Sequence, residues 1–299
     1  DRIFALILLI TAGYAAYSLK ILDLNATRRI SSFLLNIAIP ALIIASMQVP
    51  RSAALLAGAG ELLLLTGILY LISSGIAGLA AAALPATRTE RGVFQFAIVF
   101  GNVGFMGFPV VQALYGGDTL FYAAIFNLVF NVLVFSLGIA LLTRGREQGF
   151  DPRLLANPGI LASVAGLILF LESVQIPPPF IDAIGLLGNV TAPLAMIVVG
   201  ALLATFPLRE MIGDWRVLLA SAVRLLAIPL AAAVLLRPLA ADPLAFSVLV
   251  TLAAMPAAAN TVIFAEQYGS DARLASRTVF VSTLASLATI PLVTSVLLA

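Results

Sequence analysis

Long apolar stretches alternate along this chain with short polar connections that contain most of its charged residues. A helix needs about 20 apolar residues to cross a hydrocarbon core about 30 Å thick. Because the apolar stretches are continuous and do not alternate with a period of two, they predict helices and exclude barrel strands. The pattern predicts ten spans, at residues 2–20, 29–49, 56–84, 93–115, 119–143, 158–175, 180–205, 215–237, 244–268 and 274–298.

The second half of the chain repeats scarce residues of the first half at a constant distance of 153 residues. The repeated groups are Asn36 and Pro40 with Asn189 and Pro193, and Tyr115-Gly116-x-Asp118 with Tyr268-Gly269-x-Asp271. Each Tyr-Gly-x-Asp group predicts a helix that stops at Gly, followed by an Asp that caps the next helix. Repeated apolar halves are typical of secondary transporters whose site lies between the repeats.

This repeat gives the predicted domain organisation and sidedness. Residues 1–143 form a first five-helix repeat, 144–157 a cytoplasmic connecting loop and 158–299 a second five-helix repeat. Because each repeat has an odd number of spans, the second is inverted relative to the first. The odd-numbered loops hold twelve of the 16 Lys and Arg residues, whereas the N-terminus and the even-numbered loops hold three. The positive-inside rule therefore predicts a multi-pass inner (plasma) membrane protein with both termini outside the cytoplasm.

Composition narrows the function classes. Only 10% of the residues are charged and 62% are hydrophobic, which excludes a soluble domain, where about 25% are charged. The chain has no Cys and no His, so disulfides, thiolate nucleophiles and imidazole metal sites are excluded. Without a mid-span pair of acids either, no nucleophile and base are recognisable, and we expect no enzyme, cofactor or metal. The net charge of +2 reflects loop arginines and does not indicate nucleic acid.

Two predicted spans carry helix breakers at mid-membrane. Span four contains Gly101, Asn102, Gly104, Gly107 and Pro109 within nine residues. Glycine and proline weaken a helix, and proline also removes a backbone N–H group. The corresponding span nine contains Pro256 and Asn260. Interrupted helices at corresponding positions of two repeats indicate a binding site, and free helix N-termini favour an anionic ligand.

Three further polar residues lie inside predicted spans. Asn127 and Asn131 share one face of span five, where they either supply amide donors to the break in span four or join helices together. Arg224 is the only charge near the centre of a span. It could attract a carboxylate, pair with Glu61 or reach an aqueous interface, and the sequence leaves these roles open.

The stretches GNVGFMGFP and MPAAANTVIFAEQYG, together with the ten-span repeat, resemble the auxin efflux carrier family, which includes bacterial PIN-like transporters. The resemblance implies an all-α fold shared with bile-acid–sodium symporters, in which the broken helices 4 and 9 cross. Helices 1, 2, 6 and 7 would form a scaffold, and helices 3–5 and 8–10 a transport domain. The family's crossover positions correspond to Asn102, Gly104, Pro109, Pro256 and Asn260.

The same resemblance implies a function. Similar proteins move small organic anions across a lipid bilayer, namely auxin in plants and malonate or malate in bacteria. We therefore expect an exporter of auxin-like or dicarboxylate acids that works by elevator-type alternating access. The resemblance also implies a homodimer formed through the scaffold helices. The absence of a mid-span acid lowers the expectation of sodium coupling. The alternatives are a sodium-coupled bile-acid-like symporter and a membrane ligand sensor that does not transport.

Overall fold

The computed structural model describes residues 2–143, 157–205, 211 and 213–297. These residues form helices, joined by turns and by one isolated antiparallel bridge between Gly101 and Ala257. The α-helices are α1 (Arg2–Ser18), α2 (Leu24–Phe33), α3 (Ile39–Ser46), α4 (Ala53–Ala83), α5 (Arg88–Val99), α6 (Phe108–Tyr115), α7 (Leu120–Leu133), α8 (Ile139–Thr143), α9 (Pro158–Leu171), α10 (Phe180–Asn189), α11 (Thr191–Ala204), α12 (Trp215–Ala222), α13 (Ile228–Leu236), α14 (Pro243–Ala253), α15 (Asn260–Gln267) and α16 (Ala272–Leu297).

The all-helical class predicted from the apolar stretches is confirmed, and each predicted span contains one or two of these helices. Six helical segments of the described residues are long and apolar enough to cross a membrane: Leu24–Ser46, Ala53–Ala83, Gly117–Thr143, Phe180–Ala204, Trp215–Leu239 and Ala272–Leu297. Shorter apolar helices account for the remaining spans. Their arrangement as ten spans in two inverted repeats stays a prediction, and the connecting loop, except for Asn157, lies outside the described residues.

Local sequence signals set the ends of several helices. Gly116 (φ 98°) and Gly269 (φ 65°) have the left-handed backbone that favours glycine, and they lie where α6 and α15 end, as the repeated Tyr-Gly-x-Asp groups predict. The Asp271 carboxylate accepts a hydrogen bond from the Leu274 N–H (2.8 Å) and so caps α16. Asp118 instead lies in a short 3₁₀ turn, Gly117–Thr119, ahead of α7.

Three prolines inside predicted spans follow π-helical turns and do not interrupt their helices. Pro40, Pro109 and Pro229 each follow a π-helical turn by two residues; these turns are Leu34–Ala38, Val103–Gly107 and Val223–Ala227. A proline ring clashes with the carbonyl group four residues earlier, and the wider π turn relieves that clash. The helix therefore continues through each proline. The prediction that Pro109 belongs to the break in span four is wrong in this respect, because Pro109 lies in the first turn of α6.

The chain divides into two compact units. The first comprises Asp1–Leu62, Val103–Asn131 and Arg153–Phe206, and the second comprises Leu63–Asn102, Val132–Pro152 and Pro207–Ala299. The first unit includes the helices expected to form a scaffold, α1–α3 and α9–α11, and also α6 and α7. The second includes α5, α8 and α12–α16. The predicted division into scaffold and transport domains stays a prediction.

Glycines allow close helix packing in the first unit, where α1 lies along α11 and α3 along α9. A Cβ atom at Gly200 would overlap the carbonyl oxygen of Ile10, and one at Gly13 would overlap that of Ile197. Small residues at such contacts let helix backbones approach each other, which is how helices associate where no hydrophobic driving force exists. The contact between α1 and α11 thus depends on the absence of side chains at two positions.

We expect Gly200→Ala to lower the thermal stability of the protein by several degrees. The added methyl group meets a backbone carbonyl that cannot rotate away, and such overpacking costs about 1–3 kcal/mol. Gly185→Ala is the matched control, because Gly185 lies on α10 with no atom within 4 Å of its Cβ position. Thermal unfolding of the detergent-purified variants measures both. Equal melting temperatures for the two variants would contradict the packing argument.

Aromatic side chains join α5 to α15 in the second unit. The ring of Phe96 lies 4.9 Å from that of Phe100 and 6.0 Å from that of Phe264, and the Phe135 ring lies 5.6 Å from that of Phe264. All distances are between ring centroids, in the range where aromatic pairs are stabilising. Phe96 and Phe100 are fully buried. The cluster therefore fixes the two short helices beside each other at the breaks described below.

A charged cluster joins the starts of α5 and α12. The Arg216 guanidinium lies 3.1 Å from the Glu90 carboxylate and 2.8 Å from that of Asp214. The pKa of Asp214 is lowered chiefly by its side-chain hydrogen bonds from Arg216. The pKa of Glu90, which caps α5 together with Thr87, is lowered chiefly by the hydrogen bond from the Thr87 backbone N–H. Both residues precede the predicted spans, and both favour their ionised forms.

This cluster predicts a loss of stability in acid. Carboxyl groups whose pKa values are lowered on folding stabilise the native state above their unfolded values near pH 4, and that stability is lost as the pH falls through the lower folded values. We expect the melting temperature to fall as the pH is lowered below about 4, and the fall to be shallower in Glu90→Gln and Asp214→Asn. Asp182→Asn, which changes an exposed acid on α10, should retain the wild-type slope. An identical slope in all four proteins would contradict the prediction.

Candidate functional site

The breaks in spans four and nine occur where the sequence disfavours a helix. Helix α5 ends at Val99, Phe100 has an extended backbone (φ −103°, ψ 116°), and the helix resumes at Val103. In span nine the chain leaves its helix after Ala253 and returns to one at Asn260. Gly101 lies in the first break and Pro256 in the second, and these two residue types are the poorest helix formers.

The two breaks pair with each other inside the second unit. The Asn102 N–H donates to the carbonyl oxygen of Pro256 (2.7 Å), and the Ala258 N–H donates to that of Phe100 (2.9 Å). Gly101 and Ala257 form the antiparallel bridge between these bonds. Inside a membrane each unpaired backbone group costs several kcal/mol. Because each break supplies hydrogen-bond partners to the other, backbone groups of both breaks are satisfied. We call this paired region the crossover; the crossing of the whole broken helices that the resemblance implies stays a prediction.

Arg224 lies against this crossover. Its Nε donates to the carbonyl oxygen of Met255 (2.8 Å), and its Nη1 donates to those of Ile98 (3.1 Å) and Val99 (3.2 Å). A Cβ atom at Gly101 would occupy the position of the Arg224 Nη2 atom. The side chain is only 3% exposed, so it does not reach an aqueous interface. The predicted contact with a substrate carboxylate and the predicted pairing with Glu61 stay predictions.

The carbonyl groups around Arg224 are those at the C-terminal ends of two short helices. Ile98 and Val99 are the last residues of α5, and Met255 follows the end of α14. A helix C-terminus carries roughly −0.5 elementary charge. Two such ends together carry about −1, which one guanidinium group neutralises. The geometry thus accounts for an arginine that is buried among backbone carbonyl groups.

The second unit also contains Asn102 and Asn260, the asparagines of the two predicted breaks. Asn102 is buried, at 6% exposed, and its backbone takes part in the crossover. Asn260 is half-buried and begins α15, two residues after Ala258. The N-cap residue of α15 is Ala259, whose side chain makes no capping hydrogen bond. The Thr261 and Val262 N–H groups at this helix end donate to the carbonyl oxygens of Ala258 (3.0 Å) and Ala259 (3.4 Å). The end thus carries the partial positive charge of the helix dipole without a side-chain cap.

The remaining predicted site residues belong to the first unit. Gly104 lies in the π turn Val103–Gly107, and Pro109 lies in α6. Asn127 and Asn131 are both buried on α7, and the Asn131 Nδ2 has no hydrogen-bond partner. This atom lies 3.8 Å from the position that a Cβ at Gly159 would take, at the start of α9. The role of these four residues in substrate binding stays a prediction.

Sequence analysis missed two contributors to the crossover. The Ser282 hydroxyl of α16 accepts a hydrogen bond from the Ala257 N–H (3.1 Å) and so supports the break in span nine. Nothing in the sequence distinguishes it from the other serines and threonines of α16. The second contributor is the contact between Gly101 and Arg224. Gly101 is recognisable in the sequence as a helix breaker. Its second role, leaving room for the side chain of an arginine far away in the sequence, has no signal in the neighbouring residues.

Comparisons with known proteins give one consistent result. A family model described as "Membrane transport protein" matches residues 1–152 and again residues 149–294. An uncharacterized transporter from Methanothermobacter thermautotrophicus is 30% identical over 298 residues, which covers 98% of this chain and 96% of that protein. A protein from Rhizobium meliloti named "Putative malonate transporter" is 29% identical over 220 residues, covering 68% of this chain and 66% of that protein. An uncharacterized transporter from Methanocaldococcus jannaschii is 23% identical over 299 residues, covering 98% and 96%.

Proposed function

Because the chain belongs to the auxin efflux carrier family of membrane transport proteins, we propose that it is a secondary transporter of small organic anions. It is a multi-pass membrane transporter by family and by its apolar helices. The observation that carries the anion proposal is the N-terminus of α15, which lies beside the paired breaks and has no side-chain cap. The helix dipole gives such an end partial positive charge, which favours a carboxylate.

The proposed binding groups all lie in the second unit. One carboxylate oxygen lies at the positive end of the α15 dipole, and the side-chain amides of Asn102 and Asn260 donate to the others. An amide NH₂ group supplies two donors without a charge of its own. Binding therefore remains weak enough for release, which a carrier needs on both sides of the membrane. The name of the Rhizobium meliloti relative supports malonate as the first substrate to test.

The proposed mechanism is alternating access in an elevator-type cycle between two inverted repeats. The helix bounds support this repeat: α6 (Phe108–Tyr115) corresponds at a distance of 153 to residues 261–268, and α15 covers Asn260–Gln267. The two matches of the family model, one for each half, are a second support. For a monovalent anion, a membrane potential of −100 mV favours outward movement by about 2.3 kcal/mol. Export is the direction that we propose.

The proposal is tested by currents on solid-supported proteoliposomes. Concentration jumps of malonate, malate and indole-3-acetate are applied in sodium and in choline buffers, with protein-free liposomes as control. We expect a saturable current from at least one anion, with the same amplitude in both buffers. A current only in sodium would support a sodium-coupled symporter instead. No current and no exchange of labelled anion for any of the three would contradict the proposal and favour a ligand sensor.

A further inference from the structure

Arg224 is a buried charge at the crossover, and anion binding at α15 gives it no role. It donates to carbonyl oxygens of Ile98 and Val99, at the end of α5, and of Met255, which follows α14. In transporters built from discontinuous helices, unwound carbonyl groups and half-helix C-terminal ends are the groups that coordinate a sodium ion. In this chain the guanidinium group of Arg224 lies among such carbonyls.

Features of the chain at Arg224 itself and at Gly101 hold the Arg224 side chain in place. Arg224 lies in the π turn Val223–Ala227, which Pro229 explains. Gly101 leaves the space that the guanidinium fills, and any side chain there would collide with it. An arginine suits this position better than a lysine, because its planar fork donates to several acceptors at once and is weakly hydrated.

We propose that Arg224 is a permanent cation of the crossover that takes the place of a coupling metal ion. It neutralises the two helix C-termini and holds the paired breaks in the geometry that presents Asn102 and Asn260. Arg224 is therefore a positioning residue, and the transporter keeps its site assembled without sodium. Only the consequence for transport rests on the proposed function; the electrostatic role concerns the fold.

The test compares three variants that separate charge from packing. Arg224→Lys keeps the charge, Arg224→Met keeps most of the volume without it, and Arg224→Ala leaves space for a small cation. Thermal unfolding of each detergent-purified protein is measured in sodium chloride, guanidinium chloride and choline chloride at equal concentrations of about 50 mM, a range in which guanidinium is not a denaturant. The wild-type protein in the same salts controls for general salt effects.

We expect Arg224→Lys to be more stable than Arg224→Met, because only the lysine offers a positive charge and hydrogen-bond donors to the carbonyl groups. We expect sodium or guanidinium to raise the melting temperature of Arg224→Ala by about 3 °C or more relative to choline, as for a ligand that binds only the native state. Wild type and Arg224→Lys should show no such difference. If the lysine variant can be purified as a folded protein and the other two variants cannot, that result also supports the charge role.

Three results would overturn the proposal: a methionine variant at least as stable as the lysine variant, an alanine variant insensitive to both cations, or failure of all three variants to fold. The last result would mean that the shape of arginine matters and its charge does not suffice. These outcomes are independent of transport. If no anion produces a current while the cation rescue is observed, the proposed function fails and the role of Arg224 stands.

Discussion

Gly101→Ala is expected to abolish transport while leaving a folded protein in the membrane. The new methyl group would occupy the position of the Arg224 Nη2 atom, and the end of a flexible side chain moves more readily than the backbone. The guanidinium would then lose its bonds to the carbonyls of α5 and α14. Hydrogen bonds to a charged group contribute about 1.5–3 kcal/mol each, so the crossover loses much of what holds it together.

The matched control is Gly75→Ala on α4, in the same unit, where no atom lies within 4 Å of the Cβ position. It should transport as the wild type does. If Gly101→Ala acts by displacing Arg224, it should add little to the defect of Arg224→Ala, because two changes that remove the same contacts are not additive. Transport currents at equal protein density measure the wild type, the three single variants and the double variant Gly101→Ala/Arg224→Ala. An active Gly101→Ala variant would contradict the prediction, because it would show that the crossover tolerates a displaced arginine.

Asn102→Ala and Asn260→Ala are expected to have the second largest effect. Each variant removes amide donors that we assign to the bound carboxylates, at a cost of about 1.5–3 kcal/mol for a hydrogen bond to a charged group. The apparent affinity for the anion should fall by about tenfold to a hundredfold in each single variant. Because the backbone pairing of Asn102 with Pro256 does not involve its side chain, that pairing should survive the change. The dependence of the transport current on anion concentration measures the shift.

Asn36→Ala is the control for these variants. Asn36 also lies within a membrane-spanning segment, but its amide bonds to Ser32 one turn earlier in the same helix (2.8 Å to the carbonyl oxygen). Its removal should leave the affinity for the anion unchanged. An affinity loss of the same size in Asn36→Ala would indicate a general sensitivity of the fold to lost amides, and the assignment of Asn102 and Asn260 would fail.

The sequence predicted those features that depend on local chemistry. Continuous apolar stretches predicted the helices, because only helices satisfy their own backbone within lipid. The helix stops at Gly116 and Gly269 and the cap at Asp271 followed from residue types that suit those positions. The breaks at Gly101 and Pro256 were predicted for the same reason, since both residues weaken a helix wherever they occur.

Features that depend on distant backbone atoms were beyond prediction. The partners of Arg224 are carbonyl oxygens, which every residue has, so no residue type marks them. A lone charge inside a span indicates a carboxylate, an aqueous interface or a substrate as its partner, and nothing in the sequence points to helix ends. The sequence placed Pro109 in the break because proline usually ends a helix. In the structure a π turn before Pro109 relieves the steric clash of the proline ring, and the helix continues.

The measurement that tests the central claim most directly is the stabilisation of the purified protein by its anion, because it detects binding without turnover. The melting temperature is followed against malonate concentration for the wild type, Asn36→Ala and the double variant Asn102→Ala/Asn260→Ala, with equal ionic strength throughout. Our account predicts a saturable rise in the wild type and in Asn36→Ala, and no rise in the double variant at the same concentrations. A double variant stabilised as strongly as the wild type would place the anion elsewhere and contradict the account.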